Sequence, residues 1–154
     1  MTKILFVCHG NICRSTMAEF VLKDMVDKRG LGKNYTIASA ATSRDDLGSP
    51  VHQGTRKKLA QHGIGCQGKR ATLMTPQDYH RYDLLIGMDE ENLRGMRRIA
   101  GGDPQAKMHL LLEYTGAPRN IADPWYTGNF DETWDDVWAG CTALLTRLEG
   151  ENAR

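Results

Sequence analysis

Apolar residues fall into short continuous runs separated by segments of helical spacing, and the two patterns alternate along the chain. Ile4-Leu5-Phe6-Val7 is an uninterrupted apolar run that stops at a loop containing Gly10 and Asn11, which predicts a buried parallel strand. Ser15-Thr16 then offers a helix N-terminus, with Glu19 in its early turns. Met17, Phe20, Val21 and Met25 recur at helical spacing until Gly30 ends the pattern. Tyr35 to Ala38 predicts a second strand, followed by a polar, turn-rich segment from Ala40 to Pro50. Val51 to His62 predicts a basic helix closed by Gly63. A third strand is expected at Leu84 to Met88, with a charged helix from near Asp89, and a fourth at Met108 to Leu112. Asp123-Pro124 opens a loop, and Thr133 to Leu148 predicts a last amphipathic helix. Strands alternating with helices give an α/β class: three layers, a central four-stranded parallel sheet with helices on both faces. No repeat, linker or low-complexity tract interrupts residues 1–154, which read as a single domain.

Composition narrows the picture. The 154 residues are 40% hydrophobic and 25% charged, enough to build a core and unlike a disordered chain. A formal net charge of +1 supplies no broad field for nucleic acid or an anionic membrane, so an anionic ligand has to be caught by a local site. The apolar run after Lys3 is too short for a signal peptide or a membrane span. Cys8, Cys13, Cys66 and Cys141 lack the density of a disulfide scaffold. Without a signal peptide they predict reduced thiols in a cytoplasmic protein, where a special cysteine is catalytic or redox-active.

The candidate chemistry lies at the end of the first strand, in Cys8-His9-Gly10-Asn11-Ile12-Cys13-Arg14-Ser15. Ligands of open parallel sheets bind beyond the carboxyl ends of strands. Successive N–H groups in a tight loop before a helix form a nest for phosphate, and the helix N-terminus adds positive potential. Gly10 and Asn11 tolerate the left-handed angles such a curl needs. Arg14 adds a planar fork for phosphate oxygens. The same field favours a thiolate at Cys8, which Ser15 can stabilise by a hydrogen bond. A small buried hydrophobe is the alternative role for a cysteine at a strand end. The position of Cys-x5-Arg between strand and helix favours the phosphate site. No histidine pair has metal-ligand spacing: His9 offers its backbone, and His52, His62, His80 and His109 read as helix or surface residues. No metal or other cofactor is implied. Asp131, Glu132, Asp135 and Asp136 read as charge at a helix N-terminus.

These residues resemble the low-molecular-weight protein tyrosine phosphatases. The resemblance rests on Cys8-x5-Arg14-Ser15 with Gly10-Asn11, on Met17-Ala18-Glu19, and on Asp123-Pro124-Trp125-Tyr126. Weaker similarity runs through His62-Gly63-Ile64 and Met88 to Leu93, so it covers nearly the whole chain. It implies hydrolysis of a phosphotyrosine protein or a small aryl phosphate through a phosphocysteine on Cys8. Arg14 and the loop from Cys8 through His9, Gly10, Asn11, Ile12 and Cys13 would bind phosphate, and Asp123 would be general acid and base. Trp125 and Tyr126 would wall the pocket, and Asn11 would hold the loop's shape. Glu19 is either a helix-dipole partner or part of a network beneath the loop. Cys13 is either a packed thiol or the partner of a reversible disulfide with Cys8. Cys66 and Cys141 are expected to be inert. A monomer is expected, without nucleic-acid or membrane partners.

Two departures stand out. The position where the family often carries a pocket aromatic falls at about Asp45, which with Asp46 predicts a weaker grip on the aryl ring and a bias toward basic flanking residues. Lys69-Arg70-Ala71-Thr72 replaces a region where many relatives carry a histidine and a second arginine, which bears on the support of Glu19. Rival functions on such a loop are an arsenate reductase and a phosphocysteine carrier of a sugar transport system. The first needs relay cysteines, and residues 67–140 contain none. The second has no use for Asp123. A binding module without catalysis would not need Cys8, and neither G-x-G-x-x-G nor G-x-x-x-x-G-K-[ST] occurs for a nucleotide.

Overall fold

The first strand, β1 (Thr2–Cys8), lies at the centre because its residues have no polar face to offer water: Ile4 to Cys8 are all buried. In the computed structural model, which describes residues 1–152, it pairs in parallel with β2 (Tyr35–Ala41) on one side and β3 (Leu84–Gly87) on the other. β4 (Met108–Leu110) adds to β3, giving the order β2-β1-β3-β4, parallel throughout. Side-chain alternation divides the core in two. Ile4, Phe6 and Cys8 meet α1 (Arg14–Lys28) and α6 (Phe130–Asn152), while Leu5 and Val7 meet Leu93 and Met96 of α4 (Glu90–Ala100). The helices thus cover both faces of a four-stranded parallel sheet, the three-layer class expected from the pattern. No helix among the described residues is long and apolar enough to cross a membrane.

Differences from the sequence pattern have local causes. The run Met108 to Leu112 is a strand only to Leu110; Leu111–Thr115 winds into a 3₁₀ turn, with the Glu113 carboxylate accepting from the Leu110 N–H and Gly116 closing it at φ 82°. The predicted basic helix forms as α2 (Gln53–Gln61), with His52 outside it: the imidazole Nδ1 accepts from the Gly54 N–H and so caps the helix. A one-turn helix, α3 (Asp78–Arg81), had no periodic signal because four residues cannot show one. Asp123-Pro124 opens a short helix rather than a loop, α5 (Pro124–Thr127), whose first amide is satisfied by the Asp123 carboxylate accepting from the Trp125 N–H at 3.0 Å.

Candidate active site

The Cys8-to-Arg14 loop is shaped by where its carbonyls go. The Cys8 and His9 carbonyls accept from the N–H groups of Thr42 and Ser43, and the Ile12 carbonyl accepts from the His52 N–H. The Cys13 carbonyl takes the Met17 N–H and the hydroxyls of Thr16 and Thr55. With the carbonyls tied outward, the N–H groups of Gly10 to Ser15 find no acceptor within the protein among the described residues. The first turn of α1 has no side-chain cap either. A concave row of free donors at a helix N-terminus binds an oxyanion.

Only one of the two permissive residues uses a left-handed angle. Asn11 sits at φ 58°, where its short side chain also bonds locally. Gly10 does not, contrary to the sequence expectation; a Cβ there would lie 2.5 Å from an Asp46 carboxylate oxygen, so a side chain at this position would push the Asp46 carboxylate aside.

Beneath the loop runs a buried chain of hydrogen bonds whose direction is fixed by one amide. The Asn11 side-chain oxygen accepts from the Thr72 N–H, so its NH₂ faces the other way and donates to the hydroxyls of Ser15 and Ser39, each at 2.9 Å. Ser15 Oγ, already an acceptor, has its own proton left for Cys8 Sγ at 3.0 Å. Ser39 likewise passes its proton to the Glu19 carboxylate. Glu19 is therefore part of the network and not a dipole partner. Lys23 bonds its other oxygen, and Lys69 lies 3.5 Å away while donating to the Ser39 carbonyl. The sequence departure at Lys69 thus supplies this buried carboxylate with a cation.

Arg14, almost fully buried, donates from Nη1 to Asp89 at 2.6 Å and to the Ile121 carbonyl at 2.9 Å; its Nη2 is 3.4 Å from Asp123. Burial pulls its pKa down, but the charges of Cys8, Asp89 and Asp123 outweigh that and the guanidinium is held ionised. In the sequence Asp89 marks only a helix start. Its place at the carboxyl end of β3, next to the loop, was the signal available. Cys8, Cys13, Asp45, Asp123, Trp125 and Tyr126 are brought together around one pocket of about 170 Å³. Arg14 faces the adjoining hollow with Asp89 and Asp123.

His9 does more than lend its backbone: its Nε2 meets Asp45 at 2.8 Å across the rim. That hydrogen bond holds the Asp45 carboxyl below its ordinary pKa. Burial, with the nearby charges of Cys8 and Asp123, pushes the Cys13 thiol up to about 12. Burial also raises the thiols of Cys66 and Cys141, away from the pocket, so both stay protonated at neutral pH. Asp131 pairs with Lys58 near the start of α6, whereas Asp136, further along, is held by both prongs of Arg119 and is no helix-end charge. His62 stacks on Trp134, and His109 bonds Glu113. Among the described residues, no three His, Cys, Asp or Glu side chains converge to hold a metal ion.

A family model described as low molecular weight phosphotyrosine protein phosphatase matches residues 3–154. The chain belongs to this family. Its reaction is the hydrolysis of phosphotyrosine esters. It is 37% identical over 153 residues to the low molecular weight protein-tyrosine-phosphatase YfkJ of Bacillus subtilis, covering 98% of each chain. The crystal structure of YfkJ superposes with a TM-score of 0.95 over 98% of this chain and 96% of that one. SP-PTP, the low molecular weight protein tyrosine phosphatase of Streptococcus pyogenes, is 38% identical, with a TM-score of 0.86 over 96% of this chain and 93% of that one. PtpA of Staphylococcus epidermidis is 34% identical over 146 residues, 94% of this chain and 92% of its own.

Proposed function

We propose that phosphotyrosine hydrolysis here proceeds in two displacements on Cys8. The observation that carries this reading is the Ser15 hydroxyl 3.0 Å from Cys8 Sγ, with its proton directed at sulfur by the Asn11 amide. A hydrogen bond to the charged form favours a thiolate, both as attacker and later as leaving group. In the first step Sγ attacks phosphorus, the bond to the phenolic oxygen breaks, and Asp123 gives that oxygen its proton. In the second, water attacks the phosphocysteine, Asp123 takes a proton, and the sulfur–phosphorus bond breaks to restore the thiolate. The loop amides and Arg14 stabilise the equatorial oxygens. Asp89 and the Ile121 carbonyl hold one prong of Arg14, which leaves Nε and the Nη2 hydrogen not directed at Asp123 for phosphate.

Trp125 and Tyr126 wall the aryl ring, and Asp45 with Asp46 replaces a further aromatic and favours basic flanking residues. Cys13 lines the same pocket, which supports a disulfide with a Cys8 sulfenic acid, formed with release of water. Its raised pKa makes that condensation slow near neutrality. Peptide mapping after mild peroxide reads it: a Cys8–Cys13 linkage is expected, and a Cys8 sulfinic acid in its place counts against it. In this reading the protein acts as one domain, a cytoplasmic monomer without metal.

The test is hydrolysis of para-nitrophenyl phosphate in EDTA. Cys8→Ser abolishes turnover, and Asp123→Ala lowers kcat by about 10²–10⁴-fold. Turnover that survives in Cys8→Ser, or that EDTA removes from the wild type, overturns the mechanism.

A further inference from the structure

The surface beside the catalytic pocket holds charges that the two displacements do not use. A second pocket of about 420 Å³ is lined by Thr42, Ser43, Arg94 and Arg98, with Glu91 also on its wall, and it shares His9 with the catalytic pocket. Arg94 and Arg98 are one turn apart on α4 and project from the same face. Both are exposed, and among the described residues neither is within ion-pair distance of a carboxylate; the arginines that are so paired are Arg14, Arg81 and Arg119. Like charges at this spacing repel, and an anion between them relieves that repulsion. Two arginines against one glutamate leave the wall cationic.

The fold brings this pair against the catalytic loop by a close approach at Gly95. A Cβ there would lie 3.0 Å from Thr42 Cβ and Cγ2, a tight contact that glycine avoids where α4 runs near the segment after β2. That segment is tied to the loop through the Thr42 N–H on the Cys8 carbonyl and the Ser43 N–H on the His9 carbonyl. The cationic wall thus adjoins the phosphate loop, and His9 lines the pocket on both sides.

We propose that this pocket is a subsite for a second anionic side chain of the substrate, a carboxylate or a second phosphate, two or three residues from the phosphotyrosine. The proposal rests on the loop at Cys8 being the phosphate site. An extended peptide covers about 7–10 Å in two or three residues, enough to pass His9. Guanidinium groups match carboxylates and phosphates with paired donors. On the other side of His9 the catalytic pocket is lined by Asp45 and Asp46, which repel an anion there. The substrate is thereby oriented, its acidic flank toward α4.

Phosphotyrosine peptides carrying Glu, a second phosphotyrosine, Ala or Lys on either flank test this in the wild type and in Arg94→Gln/Arg98→Gln. On the favoured flank, Glu and phosphotyrosine are expected to raise kcat/KM about fivefold over Ala, through KM. The double variant loses that gain and keeps its rate on para-nitrophenyl phosphate. A gain from the second phosphotyrosine alone assigns the site to phosphate, and a gain from both to anionic side chains generally. Equal values for Glu, phosphotyrosine and Ala peptides in the wild type, or a preference that survives the double substitution, overturn the subsite. Para-nitrophenyl phosphate turnover reports separately on the Cys8 mechanism. Peptide affinities of Cys8→Ser protein, with and without the arginine changes, read the subsite without any turnover.

Discussion

The underside of the phosphate loop and its mouth are built on opposite terms. Beneath the loop, Asn11 and Ser15 are 1% and 0% exposed and every polar atom has its partner, from Glu19 through Ser39 and Asn11 to Ser15 and Cys8. At the mouth, Trp125 and Tyr126 are 59% and 83% exposed, and the His9–Asp45 pair lies in solvent. A satisfied buried network has one low-energy arrangement and fixes the direction of each proton. Exposed aromatic and charged groups are screened and free to adapt. On the proposed mechanism, the chemistry is held by the first region and the choice of substrate by the second.

Substitutions that break this contrast are graded. Glu19→Ala strips a nearly buried carboxylate from Lys69 and Ser39, and is expected to cost about 3 kcal/mol of stability, with a large loss of kcat as Ser39 and Asn11 reorient. Denaturant unfolding beside turnover of para-nitrophenyl phosphate checks it; unchanged stability and kcat would mean the network is idle. Trp125→Ala should leave stability within about 0.5 kcal/mol and act on KM for aryl substrates, by about five- to tenfold. A fall in kcat with KM unchanged would move Trp125 from the recognition side to the catalytic one. The smallest effect at neutral pH belongs to Cys13. Its folded pKa of about 12 lies above its value of 9.0 when exposed, so the folded state favours the thiol. That contribution is complete below pH 9.0 and is lost as pH rises toward about 12. Cys13→Ala should therefore flatten the decline of unfolding free energy across that window, as read by denaturant midpoints at stepped pH.

Much of the frame was legible in the chain. The apolar run at Ile4 to Val7, the loop Cys8 to Arg14 and the helix after it form one strand–loop–helix unit whose signals are all local. The side-chain contact of His9 is not legible in the sequence because its partner, Asp45, is 36 residues away. Asp89 carries only the weak signal of its place after β3, because its bond to Arg14, 75 residues distant in sequence, exists only in the folded chain. The role of Glu19 is decided by Ser39 and Lys69, which only the fold brings against it.

The sequence by itself determined the order of the four strands and the longer helices, the nest of amides and the cysteine at its head, because periodicity and loop composition act within a few residues. Tertiary structure alone decided which way each proton points, which carboxylates hold Arg14, and which charges flank the mouth. Those follow from contacts between chain segments that only a parallel sheet brings to the same edge, and their spacing along the chain carries no trace of them.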